Sequence, residues 1–302
     1  MPEYPDVVVY LEALEPRIVG KTIDSFRAKS PFLVRTFDPP IEDIVGKRVL
    51  SLSRIGKRIV WELEEDLFLV IHLMIAGRLR WRPPGTKPSS KIALATFTFE
   101  EGTLLFTEAS SQKRASIHLM RGRDQLATLD PGGLELFECT ADEFAERLRL
   151  RNHTLRRALT DPKLFSGIGN AYSDEILHHA RLSPVALTQK LDEEKVERLF
   201  SSIRAVLTEW TERLRSDVGD GFPEKVTAFR PEMAVHGRAG EACPECGDPV
   251  QRIVFAANET NYCAQCQTGG KLLADRALSR LLKKDWPKTL EELEEHRQSL
   301  KE

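Results

Sequence analysis

The sequence predicts an α+β multidomain protein, in which an N-terminal antiparallel β-sandwich is followed by a helical domain and a metal-bound β-hairpin. Three observations predict this order: short segments rich in branched and aromatic residues between about 22 and 120, helical patterns between about 140 and 215, and four cysteines between 243 and 266. At ~100–200 residues per domain, the 302 residues suffice for two domains. Hydrophobic residues make up 41% and charged residues 30%, which excludes a wholly disordered or collagen-like chain.

The first predicted element is a helix over residues 5–18, where Val8, Leu11, Leu14 and Ile18 recur at helical spacing. The opening MPEYPDVVVY lacks the basic start and the small-residue cleavage site of a signal peptide. No apolar run approaches the ~18 residues that a membrane span requires. These absences predict a cytoplasmic protein without a membrane span, associated with the nucleoid if the source is bacterial.

Five segments then predict the sandwich, because each is short, rich in Val, Ile, Leu or Phe, and bounded by turns: RVLSLSRI, RIVWELEE, LFLVIHLM, ALATFTFE and TLLFTEA. DPGGLE at 130–135 ends this region. From Lys47 to Lys91 ten Lys or Arg face four acids, although the whole chain has a net charge of −2. That local excess fits a nucleic-acid surface and an ordinary solvated surface equally well.

The helical region begins with Thr140 as a predicted N-cap, with Glu143 placed for a capping box. Asp161-Pro162 is interpreted as the opening of another helical segment, and residues 191–214 carry a long amphipathic pattern. Residues 216–240 are interpreted as loop. A Leu-rich stretch at 271–284 and a charged tail follow the cysteines.

The four cysteines predict a zinc site. They form two C-x2-C pairs separated by sixteen residues, the spacing at which two knuckles of a hairpin supply four thiolates to one tetrahedral ion: Cys243, Cys246, Cys263 and Cys266. QRIVF between the pairs is interpreted as a strand. Four thiolates leave no open coordination position, so we expect one structural Zn²⁺ per chain and no catalytic metal. Cys139 lies far away in sequence and is interpreted as a core residue.

Four separated segments resemble the formamidopyrimidine-DNA glycosylases and endonuclease VIII-like enzymes. They are the start MPEYPD, the strand turn GKRIVWEL, the helix–two-turn–helix element SGIGNAYSDEIL and the zinc hairpin from VHGRAGEACPECG to YCAQCQ. The segments lie in the family's order and span roughly residues 1–267. The resemblance implies four parts, with DNA in the cleft between the catalytic and helical domains: a catalytic β-sandwich (1–135), a helix–two-turn–helix domain (136–235), a zinc-finger hairpin (236–270) and a helical extension (271–302).

The resemblance implies a DNA-repair glycosylase with AP-lyase activity that acts on oxidised or ring-opened bases or abasic sites. After removal of Met1, Pro2 would present a secondary amine that attacks the sugar C1′, expels the base and forms a Schiff base, with strand cleavage by elimination. Glu3 would protonate the sugar, and Lys57 would bind a phosphate. The target nucleotide must leave the stack to reach Pro2. DNA is the expected partner of a monomeric protein.

Further roles follow from the resemblance. Gly169 and Asn170, at a helix N-terminus, would grip a phosphate. Asp6 and Glu175 would support the site. Alone, each of these residues has an ordinary interpretation: a terminal residue, a surface acid, a solvated lysine or a helix-joining turn.

The sequence also departs from the family pattern. Asn258 replaces an arginine that clamps phosphates, and it lacks the charge and the bidentate fork. The methionine that fills the void left by the flipped nucleotide falls on Ile75, with Met74 one place early. The wedge loop becomes TEASSQKRASIHL (107–119), which keeps Lys113 and Arg114 but lacks the wedge Phe. These departures favour lesions in DNA that is already open, unless Lys113, Arg114 or Met74 takes over the missing roles.

Two other functions remain open from the sequence alone. The same scaffold could bind damaged or structured DNA, or RNA, with weak or no base excision, which the altered wedge and hairpin favour. A zinc-ribbon transcription factor would explain the four cysteines but not the N-terminal residues.

Overall fold

A computed structural model gives the fold, and it describes residues 1–87, 91–224, 226–255, 258–274 and 287–299. The chain forms two compact units, Met1–Gly133 with Thr208–Ala228 and Leu134–Leu207 with Phe229–Glu302. The fold class is the one that the sequence predicts. Within the described ranges, no helix is long and apolar enough to cross a membrane.

The first unit contains two four-stranded antiparallel sheets, in the orders β1-β6-β7-β5 and β2-β3-β4-β8. Its strands are β1 (Ser25–Ala28), β2 (Val49–Ile55), β3 (Arg58–Leu63), β4 (Leu67–His72), β5 (Gly77–Arg82), β6 (Ala93–Phe99), β7 (Gly102–Glu108) and β8 (Ser116–Arg121). Helix α1 (Tyr4–Ile18) and the short α2 (Arg123–Ala127) complete the chain up to residue 133.

The core of this unit lies among α1 and both sheets. Trp61 of β3 packs against Phe97 of β6, with ring centroids 5.0 Å apart. On α1 the buried stripe is Val7, Tyr10, Leu14 and Ile18, whereas Val8 and Leu11 are only half-buried. The predicted helix is therefore confirmed, but its buried face is rotated from the predicted one.

Three strands, β1, β5 and β8, were not among the predicted segments. β5 reads GRLRWR, in which arginines alternate with Leu79 and Trp81, and that alternation is the period of a strand. β8 begins inside the stretch interpreted as a wedge loop, so the connection between β7 and β8 is only residues 109–115. The prediction of a loop over 107–119 was wrong at both ends.

The second unit is mainly helical, with α3 (Ala141–Arg149), α4 (Leu155–Thr160), α5 (Asn170–His179) and the first part of α6 (Glu193–Val218). The predicted capping box is confirmed, since the Glu143 N–H donates to Thr140 Oγ1 (3.2 Å) and the Thr140 N–H to the Glu143 carboxylate (2.8 Å). Asp161-Pro162 ends α4 rather than opening a helix, because proline disfavours helical backbone in the residue before it. The four-part division of the chain stays a prediction.

The zinc-finger region contains the antiparallel hairpin of β9 (Gln251–Phe255) and β10 (Asn258–Tyr262), followed by α7 (Ala264–Thr268). QRIVF is confirmed as a strand. After the hairpin, Leu272, Leu273 and two leucines of α8 (Leu290–Ser299) pack with Tyr262. The Leu273 N–H donates to the Tyr262 hydroxyl at 2.8 Å. Of the predicted Leu-rich stretch, residues 275–284 lie outside the described residues.

Candidate functional site

The N-terminal residues are fixed at the start of α1. Pro2, Glu3 and Asp6 are all buried, and Glu3 is only 2% exposed. The Glu3 backbone N–H donates to the Asp6 carboxylate at 2.9 Å, which caps the helix. Asp6 therefore holds the backbone beside Pro2, and its predicted supporting role stays a prediction.

Charges converge on the chain terminus. Burial lowers the pKa of the terminal amine on Met1, the nearby carboxylates of Glu3 and Asp6 oppose that shift, and Arg78 and Lys57 reinforce it. Burial also lowers the pKa of Lys57, against the opposing charge of Glu3. The structure therefore brings the chain terminus, Glu3 and Lys57 close together, and their predicted catalytic roles stay predictions. A less basic amine is more often unprotonated, the state in which it can attack carbon.

The turn between β2 and β3 presents Lys57. Gly56 has φ +59°, a left-handed conformation that favours glycine. The turn is tied to α1, because the Arg54 guanidinium lies 4.5 Å from the centre of the Tyr4 ring. Lys57 is therefore held beside the start of α1 by its own strand turn.

A second tight turn, between β4 and β5, presents Ile75. The Gly77 N–H donates to the Leu73 carbonyl at 2.8 Å, and a Cβ on Gly77 would lie 2.2 Å from that oxygen, so only glycine fits. Met74 has φ +51° and is half-buried, whereas Ile75 is 60% exposed. Arg78 donates to the Ile75 carbonyl at 3.1 Å. The projecting side chain is thus Ile75 rather than Met74.

The loop at 109–115 is anchored by Glu108, which sequence reasoning did not identify. Its carboxylate is 1% exposed and accepts the N–H groups of Arg114 (3.1 Å) and Ala115 (3.2 Å). The Lys113 ammonium donates to the Glu108 carbonyl. Lys113 and Arg114 are exposed, and no aromatic residue lies in the loop. The loop therefore offers cations, but no aromatic wedge.

In the second unit, the predicted phosphate-binding turn leads into α5. Gly167 has φ +85°, and Gly169 is the N-cap residue. Asn170 is the first helical residue and is exposed. The exposed N-terminus of a ten-residue helix is a suitable anion site.

Two adjacent carboxylates of α5 hold the loop before the zinc finger. Glu175 accepts the backbone N–H groups of Ala234 (2.7 Å), Val235 (2.9 Å) and His236 (2.9 Å). Asp174 bonds His236 Nδ1 at 2.8 Å and accepts the Asn261 N–H of β10 at 3.0 Å. Burial raises the pKa of Asp174 to about 6, although its bond to His236 opposes the shift. The sequence predicts a supporting role for Glu175, which stays a prediction, whereas its neighbour Asp174 was not identified.

The four predicted cysteines meet in one cluster. Their sulfur atoms all lie within 4.8 Å of one another, with 3.9 Å between Cys243 and Cys266 and 3.4 Å between Cys246 and Cys263. Tetrahedral zinc with Zn–S bonds of about 2.3 Å requires sulfur–sulfur distances of about 3.8 Å. The residues therefore fit zinc.

The two histidines at the end of α5 do not form a metal pair with each other. His178 Nε2 lies 3.3 Å from Cys243 Sγ, whereas His179 Nδ1 lies 2.9 Å from Ser202 Oγ. Adjacent helical residues point in different directions, which explains the divergence. Cys139 is buried apart from the cluster.

Asn258 opens β10, where it pairs with Phe255. Its side chain lies outside the described part of the structure. The predicted phosphate contact of Asn258 therefore stays a prediction.

Cys246→Ser is expected to lower the zinc content from one ion per chain towards zero and to unfold the hairpin, because metal binding free energy is folding free energy at such sites. Metal analysis and thermal unfolding of freshly purified protein measure both effects. Cys139→Ser is the matched control and should retain a full equivalent of zinc. Zinc-free wild-type protein with an intact thermal transition would contradict the assignment.

Three family models match the chain. The formamidopyrimidine-DNA glycosylase N-terminal domain matches residues 1–115, the formamidopyrimidine-DNA glycosylase H2TH domain matches 132–218, and a zinc finger found in FPG and IleRS matches 240–269. The last match agrees with the four-cysteine cluster, so the chain holds one structural zinc ion.

Curated relatives extend the likeness over most of the chain. The formamidopyrimidine-DNA glycosylase of Thermus thermophilus is 32% identical over 282 residues, covering 89% of this chain and 100% of the relative. That of Solibacter usitatus is 31% identical over 271 residues, covering 88% and 99%. An uncharacterized formamidopyrimidine-DNA glycosylase-like protein of Mycobacterium tuberculosis is 41% identical over 164 residues, covering 54% of this chain and 100% of that protein.

Solved structures give the same result. The Lactococcus lactis Fpg in complex with DNA containing an abasic site superposes with a TM-score of 0.78 at 28% identity, covering 88% of this chain and 99% of that one. MutM in complex with DNA containing carbocyclic 8-oxo-G superposes with a TM-score of 0.78 at 29% identity, covering 88% and 100%.

Proposed function

This chain belongs to the formamidopyrimidine-DNA glycosylase family and is a DNA glycosylase, and we propose that it uses Pro2 as nucleophile and also cleaves the strand as an abasic-site lyase. The observation that carries the proposal is the buried chain terminus beside Glu3 and Lys57. Removal of Met1 would turn that terminus into the secondary amine of Pro2.

The proposed reaction begins when the Pro2 nitrogen lone pair attacks C1′ of the target sugar. The glycosidic bond breaks, the base leaves with its electron pair, and that pair takes up the proton that the Pro2 nitrogen loses on bonding to C1′. Glu3 donates a proton to the sugar ring oxygen as the C1′–O4′ bond opens, which leaves a cationic Schiff base between the Pro2 nitrogen and C1′. A secondary amine forms an iminium that has no N–H proton to lose, so the positive charge stays available to draw electrons.

The proposed lyase step follows from that iminium. A base removes a proton from C2′, the electrons form the C1′–C2′ enamine, and elimination breaks the bond between C3′ and its phosphate oxygen. Lys57 would neutralise charge on a phosphate, because its ammonium lies close to Glu3 and the chain terminus. Water then hydrolyses the Schiff base and frees Pro2 for another cycle.

We propose damaged DNA as the partner. The solved relatives contain an abasic site or an oxidised guanine analogue, so oxidised bases, ring-opened bases and abasic sites are the proposed substrates. In the second unit, the N-terminus of α5 and the zinc hairpin would bind phosphates. The target nucleotide would have to leave the base stack before Pro2 could reach C1′.

Borohydride trapping on abasic-site DNA tests the proposal, because only a Schiff base is reduced to a stable covalent adduct. We expect a covalent protein–DNA band together with strand cleavage in unreduced samples. Tight binding without any trapped adduct would instead support the second candidate, a binder of damaged DNA that excises weakly or not at all. The loop at 109–115 favours that candidate, because it offers no aromatic wedge.

The protein is expected to cut lesions faster in single strands, bubbles or mismatches than in fully paired DNA. Opening a stacked pair costs a few kcal/mol, and an asparagine in place of a charged clamp forfeits about 1 kcal/mol or more of phosphate binding. The measurement compares one lesion in single-stranded, bubble and paired DNA at a fixed salt concentration. The expectation would be wrong if Lys113, Arg114 or Met74 took over the roles of the missing wedge Phe and the missing arginine clamp.

Asn258→Arg is expected to reduce the difference in cleavage rate between open and paired DNA. Cleavage of the paired substrate should speed up most, because arginine restores the charged fork. Asn261→Arg is no suitable control, since Asn261 is buried and accepts the Gly237 N–H at 2.7 Å. The suitable control is Val254→Arg, at an exposed position on the neighbouring strand, because it adds the same charge. It should speed the cleavage of all three substrates equally or of none. Fastest cutting of paired DNA, unchanged by Asn258→Arg, would contradict this interpretation.

A further inference from the structure

Lysine, arginine and histidine side chains line one face of the sheet β2-β3-β4-β8, beginning at Lys57 in the turn before β3. Arg58 on β3 is the direct cross-strand partner of His72 on β4. His118 on β8 is paired with Val70, which lies two residues from His72 and therefore on the same face. We call this set the cationic row: Lys57, Arg58, His72, His118 and Arg35.

Arg35 closes the far end of the row. It lies on the segment that runs beside β8, where its backbone N–H donates to the Ile117 carbonyl at 2.8 Å. Its charge reaches His118, whose pKa is lowered by burial first and then by Arg58 and Arg35. The row therefore crosses three strands and ends on the flanking segment.

The two histidines are close to the arginines and uncharged at neutral pH. Burial lowers the pKa of His72 to about 4, and the charges of Arg58 and Lys57 and the neighbouring His118 add to that shift. A neutral imidazole keeps one N–H donor and carries no charge, so it can bind an anion without adding to the repulsion among the arginines.

Two cations of the row each face an acid, since Glu3 lies near Lys57 and Asp130 lies near Arg58. Burial lowers the pKa of Arg58 and the charge of Asp130 opposes that shift, while Arg58 also donates to the Leu129 carbonyl at 2.6 Å. Among the residues that the structure describes, the imidazoles of His72 and His118 have no hydrogen-bond or ion-pair partner. The guanidinium group of Arg35 has none there either. Several cations and unpaired donors on one face favour a ligand with several negative charges.

We propose that the cationic row is a phosphate-binding surface that follows the DNA backbone away from the phosphate at Lys57, with Arg35, Arg58 and His118 contacting phosphates farther from the lesion. An arginine fork binds phosphate oxygens in bidentate fashion, and a neutral histidine adds an N–H donor. The inference rests on the proposed function, because it takes the ligand to be the damaged DNA strand.

The test measures binding to a duplex that carries an uncleavable tetrahydrofuran abasic analogue, over a series of salt concentrations. Arg35→Gln and Arg58→Gln are each expected to bind about tenfold more weakly at low salt. Each should also reduce the slope of log K against log salt by about 0.9, the value for one lost phosphate contact. His118→Ala should weaken binding as well. Thermal unfolding establishes that each variant is folded.

The matched control is Arg48→Gln, which makes the same charge change directly before β2. The Arg48 side chain is 55% exposed and pairs with Glu64 at 2.5 Å. It should leave both affinity and slope unchanged. Shortening one arm of the DNA to the phosphates beside the abasic analogue should abolish the difference between the row variants and wild type.

Row variants that behave like Arg48→Gln would overturn the inference, as would a loss of affinity that persists on the shortened DNA. Borohydride trapping by the wild type separates the two ideas. If the wild type is trapped but the row variants bind like wild type, the cationic row is wrong and the proposed function is still supported. If the row variants have reduced salt slopes but the wild type is not trapped, the binding surface is supported and the lyase activity is wrong.

Discussion

Protein that keeps an uncleaved N-terminal tag is expected to bind abasic-site DNA and to give no borohydride-trapped adduct and no strand cleavage. A peptide bond at the Pro2 nitrogen removes its lone pair from use, and no nucleophile means no Schiff base. Pro2→Gly should form the adduct at least about a hundredfold more slowly, since a primary amine replaces the constrained secondary one. Single-turnover trapping and a gel-based cleavage assay measure both effects.

The pH dependence of the trapping rate of the untagged protein also tests whether the terminal amine is the nucleophile. In this structure burial lowers the pKa of the terminal amine on Met1, and we expect the same surroundings to lower the pKa of the Pro2 amine once Met1 is removed. The unprotonated fraction would then become large at a lower pH than for an exposed terminus. The trapping rate should rise with pH and level off below about 8, the ordinary value for a terminal amine. The same tag placed after residue 302 is the control and should leave trapping intact. Full lyase activity of the N-terminally tagged protein would contradict the nucleophile.

Glu3→Gln is expected to slow the release of an oxidised base by ~10²–10⁴-fold, the usual contribution of a positioned general acid. Cleavage at a preformed abasic site should fall much less, because the base is already gone and the sugar can open spontaneously. Two substrates of identical sequence, one carrying the lesion and one the abasic site, separate the two steps.

Glu12→Gln serves as the control for Glu3→Gln. Glu12 lies on the same helix, is exposed and pairs with Arg215 at 2.5 Å, so its loss changes a surface charge only. The Glu3 backbone N–H still caps α1 through Asp6 in the Glu3→Gln variant, so the fold should be unaffected. Equal loss of base release and abasic-site cleavage would argue against the separate role of Glu3.

Much of the fold was predictable because its signals are local. Cysteine spacing predicts the four-sulfur cluster, since two residues between cysteines leave few other geometries. The Thr140 capping box is likewise a contact over three residues. β8 was missed because Lys113 and Arg114 were interpreted as belonging to a longer loop, whereas a buried Glu108 shortens it.

The surroundings of Asp174 and His72 were not predictable, because they depend on pairing between distant segments. Asp174 reaches His236 and Asn261, which lie 62 and 87 residues along the chain. His72 stands beside Lys57 only after β3 and β4 pair. Sequence reasoning could list each residue, but only strand register brings them to one face. Asp174 had a signal, since it is an acid beside the predicted supporting residue Glu175.

The leucines that follow the zinc finger set a limit on how this protein can be shortened. The match to the zinc-finger family ends at residue 269, so a truncation designed on relatives would remove Leu272, Leu290 and Leu293. Tyr262, now 1% exposed, would then face water with its hydroxyl unpaired from Leu273. The apolar surface exposed around Tyr262 would promote aggregation and proteolysis. Amide hydrogen exchange in β10 would become faster. The residues after the zinc finger thus set the local stability of the hairpin.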